Sequence, residues 1–129
     1  MKVVWVNGCF DVLHRGHMEL FKFAKSKGDY LIVGIDTDRR VRETKGSSRP
    51  VNSQEDRKFF LEGIRFVDEV VFFDSSVELC NLIMSKQPDC MIVGSDWEDK
   101  RVVGSQYATE LIFFDRVGDY STTKLLENK

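Results

Sequence analysis

The chain has 129 residues, of which 42% are hydrophobic and 31% charged, and its formal net charge is −2 at pH 7. This size and composition predict one soluble domain, residues 1–129, with enough apolar residues for a core. The slightly acidic balance argues against a nucleic-acid partner, and no apolar run approaches the ~20 residues that span a bilayer. Because a predicted strand follows the first residue directly, without a signal peptide, we expect a cytoplasmic protein with no membrane partner.

A strand, a loop and a helix are predicted at the start of the chain. Residues 2–6 are mostly β-branched or aromatic, as in a strand, and apolar residues recur at helical spacing in residues 18–27. The loop between them contains Gly8 and Gly16. Free N–H groups and the helix dipole favour an anion where such a helix begins, so this turn predicts a phosphate site.

Both histidines of the chain, His14 and His17, lie at this helix entry. Their spacing lets both imidazoles face one point, while Gly16 between them lets an anion approach the backbone. A metal pair or two surface histidines is the alternative interpretation. We favour phosphate because both fall in one turn with Gly8 and Asp11, and because the three cysteines form no C-x-x-C zinc motif.

Strands and helices alternate through the middle of the chain. Apolar runs at residues 30–35, 70–73, 90–94 and 111–114 predict four more strands, and helices are expected to be capped by Ser53 and by Ser75 or Ser76. Nearly continuous apolar runs are typical of parallel strands covered on both faces. We therefore predict an α/β fold, a Rossmann-like three-layer sandwich with a mostly parallel five-stranded sheet that binds its ligand at the strand carboxyl ends.

A polar and basic segment, residues 39–50, is predicted to be a mobile loop after the second strand. Lys45 in this segment can supply a point charge to phosphate oxygens when the loop closes over a triphosphate. Three arginines of the segment are interpreted as solvated and without a role, namely Arg39, Arg40 and Arg42.

Polar residues after the later strands are further candidates for ligand contacts. Asp96 and Trp97 follow the fourth strand, and if the ligand is a nucleotide they are suited to bind its base and sugar, by hydrogen bonding and aromatic contact respectively. Ordinary packing is the alternative for the tryptophan. Near the end of the chain, Ser121 and Thr122 precede an apolar pair and predict a helix N-terminus, which is a second anion site. An ordinary capped helix is the alternative there.

The run Gly8-Cys9-Phe10-Asp11, followed by His14-Arg15-Gly16-His17, resembles the G-x-F-D-x-x-H-x-G-H motif of cytidylyltransferase-like nucleotidyltransferases. The resemblance implies that the two histidines and Lys45 contact the phosphates of a nucleoside triphosphate. It also implies a closing motif in which Arg116 acts with Ser121 and Thr122 on the same triphosphate. The remaining nucleotide-binding residues that it implies are Gly8, Cys9, Phe10, Asp11 and Gly16, with Asp11 expected to fix the loop backbone rather than a metal.

Three more residues are expected to support the site. Arg65 and Asp68 lie in a segment, residues 65–70, that resembles one whose arginine and aspartate order the active site near a dimer interface. A structural ion pair between the two is the alternative. Arg57 is placed early on the helix that follows the basic segment, and it is assigned to substrate or structural support.

The resemblance implies transfer of a nucleoside monophosphate to the phosphate of a sugar or polyol phosphate, with release of pyrophosphate. It further implies Mg²⁺ bound mainly through the nucleotide phosphates, and a homodimer. Because the attacking phosphate is already an anion, no catalytic triad is needed, and the chain has none.

Two branches of the family share features with the chain. Residues 45–52 resemble heptose 1-phosphate adenylyltransferases, whereas residues 65–70 and 96–98 resemble glycerol-3-phosphate cytidylyltransferases. We favour the heptose type and leave ATP against CTP open. A nucleotide or phosphate sensor without turnover is the alternative class.

Overall fold

A computed structural model gives the structure of residues 1–115. Two short 3₁₀ turns, Ser95–Trp97 and Ser105–Tyr107, lie between the last two strands. The strands and α-helices are, in chain order, β1 (Val3–Gly8), α1 (Arg15–Ser26), β2 (Tyr30–Asp36), α2 (Asp38–Lys45), α3 (Gln54–Glu62), β3 (Glu69–Phe73), α4 (Ser76–Lys86), β4 (Cys90–Gly94) and β5 (Glu110–Phe114).

The five strands form one sheet in the order β3-β2-β1-β4-β5, with every neighbouring pair in this part of the chain parallel. In the central strand, Val4 lies opposite Leu31 of β2 on one side and opposite Cys90 of β4 on the other. The strand order reverses between β1 and β4. The carboxyl ends of strands at such a switch point form the crevice where open α/β sheets bind ligands.

Apolar side chains cover both faces of this sheet. Val4 and Val6 point to one face, where they pack in a cluster with Phe21 of α1 and Leu61 of α3. Trp5 points to the other face and packs in a second cluster with side chains of α4. Because both faces are covered, the strands are nearly continuous apolar runs. The predicted three-layer α/β sandwich with a five-stranded parallel sheet is confirmed.

Residues 38–45 form helix α2, so the prediction of a mobile loop in this segment was wrong. Thr37 caps the helix, since its Oγ1 accepts a hydrogen bond from the amide of Arg40 at 3.3 Å. Val41 is the buried residue of the helix. A single buried side chain in eight residues leaves no hydrophobic periodicity, which is why the sequence pattern did not reveal the helix.

Two arginines of α2 have partners on neighbouring elements, although the sequence interpretation left them solvated. Arg39 donates to the carboxylate of Asp74 at 3.0 Å and to that of Glu43 at 2.7 Å. Arg40 donates through Nη2 to the hydroxyl of Ser76 at 3.0 Å. Asp74 directly follows β3, and Ser76 is the first residue of α4. Because both partners are far from α2 in sequence, the pattern of charges within residues 39–50 could not indicate them.

The other helices begin near their expected residues. Ser53 and Ser75 cap α3 and α4, as predicted, by accepting the amides of Asp56 and Glu78. Helix α1 begins three residues earlier than the apolar pattern indicated, at Arg15, because polar residues fill its first turn. None of the helices in residues 1–115 is long and apolar enough to cross a bilayer.

Candidate active site

A cleft of about 410 Å³ opens at the carboxyl ends of the central strands. It extends from Gly8 of β1 to Asp36 of β2 on one side and to Gly94 of β4 on the other. A smaller cavity of about 140 Å³ adjoins it, since Phe10 and Lys45 line both. The remaining residues of the smaller cavity are Cys9, Asp11, His17 and Arg49. The site therefore has a polar corner, at the smaller cavity, attached to a longer cleft.

His14 and His17 cap helix α1 with one another. Nδ1 of His14 accepts the amide of Gly16 at 3.1 Å, and Nδ1 of His17 accepts the amide of His14 at 3.1 Å. The two rings stack with their centroids 3.8 Å apart and their planes at 27°. This is a capping box in which imidazoles replace the usual hydroxyl and carboxylate.

The backbone N–H groups of this turn are hydrogen-bonded within the turn, whereas the sequence predicted that they would be free to bind an anion. The amide of Gly16 donates to His14 Nδ1, and the amides of His17 and Met18 donate to the carbonyl of His14 at 3.0 and 3.4 Å. These three N–H groups, expected to be available to a phosphate, are thus already bonded within the turn. The groups that can serve an anion here are side chains.

The hydrogen bonds also determine which imidazole nitrogen carries a proton. Because Nδ1 of each ring accepts a backbone N–H, the proton of the neutral ring lies on Nε2. Burial lowers the pKa of His17 to about 4, and the interactions with His14 and Lys45 act in the same direction. At neutral pH, His17 is therefore an uncharged hydrogen-bond donor through Nε2.

Phe10 supports His17 from a left-handed backbone conformation, with φ of 48°. Its ring packs edge-on against His17 at 5.4 Å and against Phe21 at 5.0 Å. A Cβ on Gly8 would lie 3.0 Å from the ring, so the glycine leaves room for this packing. Backbone strain of this kind persists only where packing compensates for it. Here the packing of the Phe10 ring holds the ring of His17 against the smaller cavity.

Asp11 ties the glycine-containing turn to the segment before α3. Its carboxylate, 2% exposed, accepts the amide of Val51 at 2.7 Å and that of Asn52 at 2.8 Å. Nε of Arg49 lies 3.4 Å from the same carboxylate. Both oxygens are therefore bonded to the chain itself. Of the two roles considered for Asp11, this geometry fits fixation of the backbone.

Arg57 is a buried cation, 0% exposed, that joins three segments of the site. Its guanidinium donates to the carbonyl oxygens of Asn52, Cys9 and Asp36 at 3.1, 3.0 and 2.8 Å, and to the carboxylate of Asp38 at 2.9 Å. These bonds hold the ends of β1 and β2 in fixed register with the start of α3. Arg57 thus supports the structure of the site rather than lining its cavities.

Lys45 is the last residue of α2, and not part of a loop as predicted. It lines both the cleft and the smaller cavity. The electrostatic effect of its ammonium on His17 indicates that the two are close neighbours. The sequence prediction had the wrong local structure for Lys45 but grouped it with the histidine turn, and the structure brings them together.

Trp97 lines the far end of the cleft, beyond β4, and is 45% exposed. Asp96 beside it is exposed. A Cβ on Gly94 would come 2.6 Å from a carboxylate oxygen of Asp96, so this glycine lets Asp96 fold back over the end of the strand. The pair lies on the β4 side of the switch point, opposite the side that holds β2.

Arg65 and Asp68 do not line either cavity. Asp68 accepts the amide of Leu31 at 2.7 Å and pairs with Lys25, and these bonds lower the pKa of its carboxyl against the opposing effect of burial. Arg65 lies over the ring of Phe66, 4.9 Å from its centroid. Within the described part of the chain, Arg65 and Asp68 thus do not form the ion pair with each other that the sequence analysis kept as an alternative.

Three candidate residues, Arg116, Ser121 and Thr122, lie outside the described residues. Within residues 1–115, no three His, Cys, Asp or Glu side chains are grouped to hold a metal ion.

Three residues of the cleft, Asn7, Asp36 and Arg40, were missed by the sequence analysis. A signal was available for Asp36, because it is the first polar residue after an apolar strand. Arg40 gave no such signal.

Comparisons with known proteins show which family the chain resembles. The family model described as cytidylyltransferase-like matches residues 5–125. A bifunctional protein HldE of Campylobacter fetus is 46% identical over 96% of the chain and 27% of its own length, and one of Sulfurimonas denitrificans is 47% identical over 98% and 26%. The chain thus spans about a quarter of the length of the curated relatives it matches.

Solved structures share the fold at low identity. The lipopolysaccharide core biosynthesis protein of Thermoplasma volcanium superposes with a TM-score of 0.71 and 21% identity, covering 94% of this chain and 99% of that one. Pantothenate synthetase of Thermus thermophilus gives a TM-score of 0.64 at 15% identity, with 97% and 61% covered.

Proposed function

We propose that this chain, which belongs to the cytidylyltransferase-like family, transfers the adenylyl group of ATP to the phosphate of heptose 1-phosphate and releases pyrophosphate. The chain is a nucleotidyltransferase by family. In the proposed reaction an oxygen of the acceptor phosphate forms a bond to the α-phosphorus of ATP. The bond from that phosphorus to the bridging oxygen breaks, and the electron pair leaves with pyrophosphate.

The observation that carries this proposal is the stacked histidine pair beside Lys45 at the switch point of the sheet. The acceptor phosphate is already anionic, so the main demand on the protein is to stabilise charge on the α-phosphate and on the departing pyrophosphate. His17 supplies a neutral Nε2–H donor that needs no proton exchange with solvent. His14, with the same tautomer, supplies a second, and Lys45 adds a fixed positive charge.

The triphosphate is proposed to enter as its magnesium complex. Magnesium neutralises phosphate charge, and most of its ligands are phosphate oxygens and water molecules. The residues present fit this arrangement, since Asp11 uses its oxygens on backbone amides. Arg116, Ser121 and Thr122 are proposed to hold the triphosphate, and the turn formed by Gly8, Cys9, Phe10, Asp11 and Gly16 is proposed to position the histidine side chains that contact it.

The base and ribose are proposed to lie beyond β4, where Trp97 offers an aromatic face and Asp96 a carboxylate. Arg57, Arg65 and Asp68 are proposed to act as structural support, which matches the hydrogen bonds of Arg57 and Asp68. We further propose that the protein acts as a homodimer in the cytoplasm.

The heptose acceptor is supported by two observations. The relatives that match nearly the whole chain at 46% and 47% identity are bifunctional HldE proteins. The segment that resembles heptose 1-phosphate adenylyltransferases, residues 45–52, is held against the histidine turn by Asp11 and Arg57. The segment around Trp97 favours the second candidate, transfer of a cytidylyl group from CTP to glycerol 3-phosphate.

A matrix of two nucleotides and two acceptors tests the proposal. Purified protein with magnesium is given ATP or CTP together with heptose 1-phosphate or glycerol 3-phosphate, and pyrophosphate release is measured. We expect turnover with ATP and heptose 1-phosphate. Turnover only with CTP and glycerol 3-phosphate supports the second candidate. Nucleotide binding in a thermal-shift assay without turnover of any pair would instead indicate a sensor.

A further inference from the structure

We propose that Asp36 and Arg40 bind the hydroxyl groups of the acceptor sugar, on the β2 side of the cleft. The inference rests on the proposed function, because it assigns a second substrate to the same site. The sequence analysis gave Asp36 no role and interpreted Arg40 as solvated, whereas both residues line the cleft and not the smaller cavity.

Asp36 is held rigidly at the cleft. It is the last residue of β2, in register with Phe73 of β3, and its carbonyl accepts a hydrogen bond from the buried Arg57 at 2.8 Å. Its side chain lines the cleft and is 18% exposed. Arg40 extends from α2 to the same wall, where Ser76 accepts its Nη2. The backbone of Asp36 and the guanidinium of Arg40 are thus positioned before any ligand arrives.

The ion pair between Asp36 and Arg40 is incomplete. Nε of Arg40 lies 3.7 Å from Oδ2 of Asp36, which is too long for a hydrogen bond, and this buried nitrogen has no partner within residues 1–115. Arg57, by contrast, uses all three of its guanidinium nitrogens in hydrogen bonds. A buried donor without a partner costs free energy, and native structures retain such groups mainly where they serve a function.

The chemistry of the pair suits hydroxyl groups better than phosphate. A carboxylate repels phosphate but accepts hydrogen bonds from hydroxyls, and the same hydroxyl oxygen can accept a bond from a guanidinium. The groups proposed to bind phosphate, His17 and Lys45, lie together in the adjoining cavity. Burial raises the pKa of Asp36, while the cations Arg40, Lys45 and Arg57 oppose that rise and favour the carboxylate.

The position of the pair indicates the acceptor rather than the nucleotide. The order of the sheet places β2 and β4 on opposite sides of β1. Trp97 lies beyond β4, so a base and ribose there extend away from Asp36. Lys45 lines both the cleft and the smaller cavity. For an acceptor whose phosphate lies near Lys45, the β2 side of the cleft is the side that the base and ribose do not occupy.

Calorimetry with two phosphate ligands tests the assignment. Wild type, Asp36→Asn and Arg40→Gln are each saturated with α,β-methylene ATP and magnesium, then titrated with heptose 1-phosphate or with ethyl phosphate, which has no hydroxyl group. We expect each substitution to raise the Kd for heptose 1-phosphate by about tenfold or more, because a hydrogen bond to a charged group is lost. The Kd for ethyl phosphate should stay within about twofold.

Arg42→Gln is the matched control, since Arg42 is exposed on the same helix and does not line the cleft. Thermal melting of each variant shows whether it is folded, and the two substitutions alter different partners of the pair. An unchanged Kd for heptose 1-phosphate in both folded variants overturns the inference. An equal rise in the Kd for ethyl phosphate also overturns it, because the pair then binds phosphate. A raised Kd for the nucleotide overturns it as well, because the pair then binds ribose.

Pyrophosphate release by the same proteins separates this inference from the proposed function. If the wild type turns over heptose 1-phosphate and both variants do so at the same rate and with the same KM, the inference is overturned but the proposed function is not. Binding of heptose 1-phosphate that depends on Asp36 and Arg40, without turnover, overturns the reaction and supports the subsite. Absence of heptose 1-phosphate binding to the wild type overturns both.

Discussion

Nδ1 of His17 accepts the backbone amide of His14 at 3.1 Å, so the two histidines that are candidates for catalysis also hold their own helix turn together. His14 completes the turn by accepting the amide of Gly16. The structural bonds use Nδ1 of each ring, whereas the proposed chemistry uses Nε2. The two roles therefore reside on different atoms and can be separated by substitution.

His14→Asn and His17→Gln are predicted to remove catalysis while keeping the helix cap. Asparagine is a favourable N-cap residue, and glutamine is a usual N3 partner of a capping box; when the amide oxygen of each makes the cap bond, its NH2 group does not reproduce the imidazole Nε2–H. Pyrophosphate release should fall by about 10²-fold or more in each variant. The free energy of unfolding in urea should change by about 1 kcal/mol or less. Turnover within a few-fold of wild type in both would remove the histidines from the mechanism.

The stability of the protein is predicted to fall as the pH decreases from about 6.5 to about 4, in part through His17. The folded pKa of His17 is about 4 and its ordinary value is 6.5, so the unfolded state binds the extra proton in this window. Protonation therefore favours unfolding, by up to about 3 kcal/mol. Urea unfolding of wild type and His17→Gln across this range measures it, because other titrating groups are common to both. Parallel pH profiles would contradict the lowered pKa.

Arg57→Met is predicted to destabilise the protein by about 3–5 kcal/mol, since it leaves the carboxylate of Asp38 and the carbonyl oxygens of Cys9, Asp36 and Asn52 without their donor. Methionine keeps most of the length of the side chain, so the loss reports the hydrogen bonds rather than a cavity. Chemical denaturation measures the effect. Lys22→Gln, which removes an exposed cation from α1, should change stability by about 0.5 kcal/mol or less. Similar values for the two variants would show that Arg57 is not the support inferred here.

Trp97 is predicted to report nucleotide binding by its fluorescence. The chain has two tryptophans, and Trp5 is 0% exposed whereas Trp97 is 45% exposed at the cleft. ATP with magnesium should protect Trp97 from acrylamide quenching, and Trp97→Ala should abolish that response and raise the Kd for ATP about tenfold. Phe59→Ala, which removes another exposed aromatic ring outside the cleft, should change neither. Absence of protection in the wild type, or an unchanged Kd for ATP in Trp97→Ala, would place the base elsewhere.

Features that depend on local sequence were predictable. Strand β4 has the bounds that its apolar run indicated, residues 90–94, and Ser53 caps α3 as its position suggested. The histidine turn was recognised as the centre of the site because its residues are consecutive. Such elements are specified by neighbouring residues, so periodicity and capping are enough to find them.

Features that depend on distant partners were not predictable. Helix α2 has one buried apolar residue, and its arginines Arg39 and Arg40 bind Asp74 after β3 and Ser76 of α4. Arg57 was assigned to substrate or structural support only from its place after the basic segment, and the sequence could not name its partners, because Cys9 and Asp36 come from the ends of two other strands. Only the parallel sheet brings these segments together, and a single sequence does not show that.

The contrast between Asp11 and Gly46 has a practical consequence for labelling the protein. Asp11 fixes the amides of Val51 and Asn52, whereas Gly46 has φ of 102° with open space around it, and residues 46–48 are exposed. A fluorophore or an epitope tag attached at residue 47 or 48 would project into solvent a few residues before the anchored amides without breaking the anchor. Placed a few residues later, at 51 or 52, the same tag would detach that anchor.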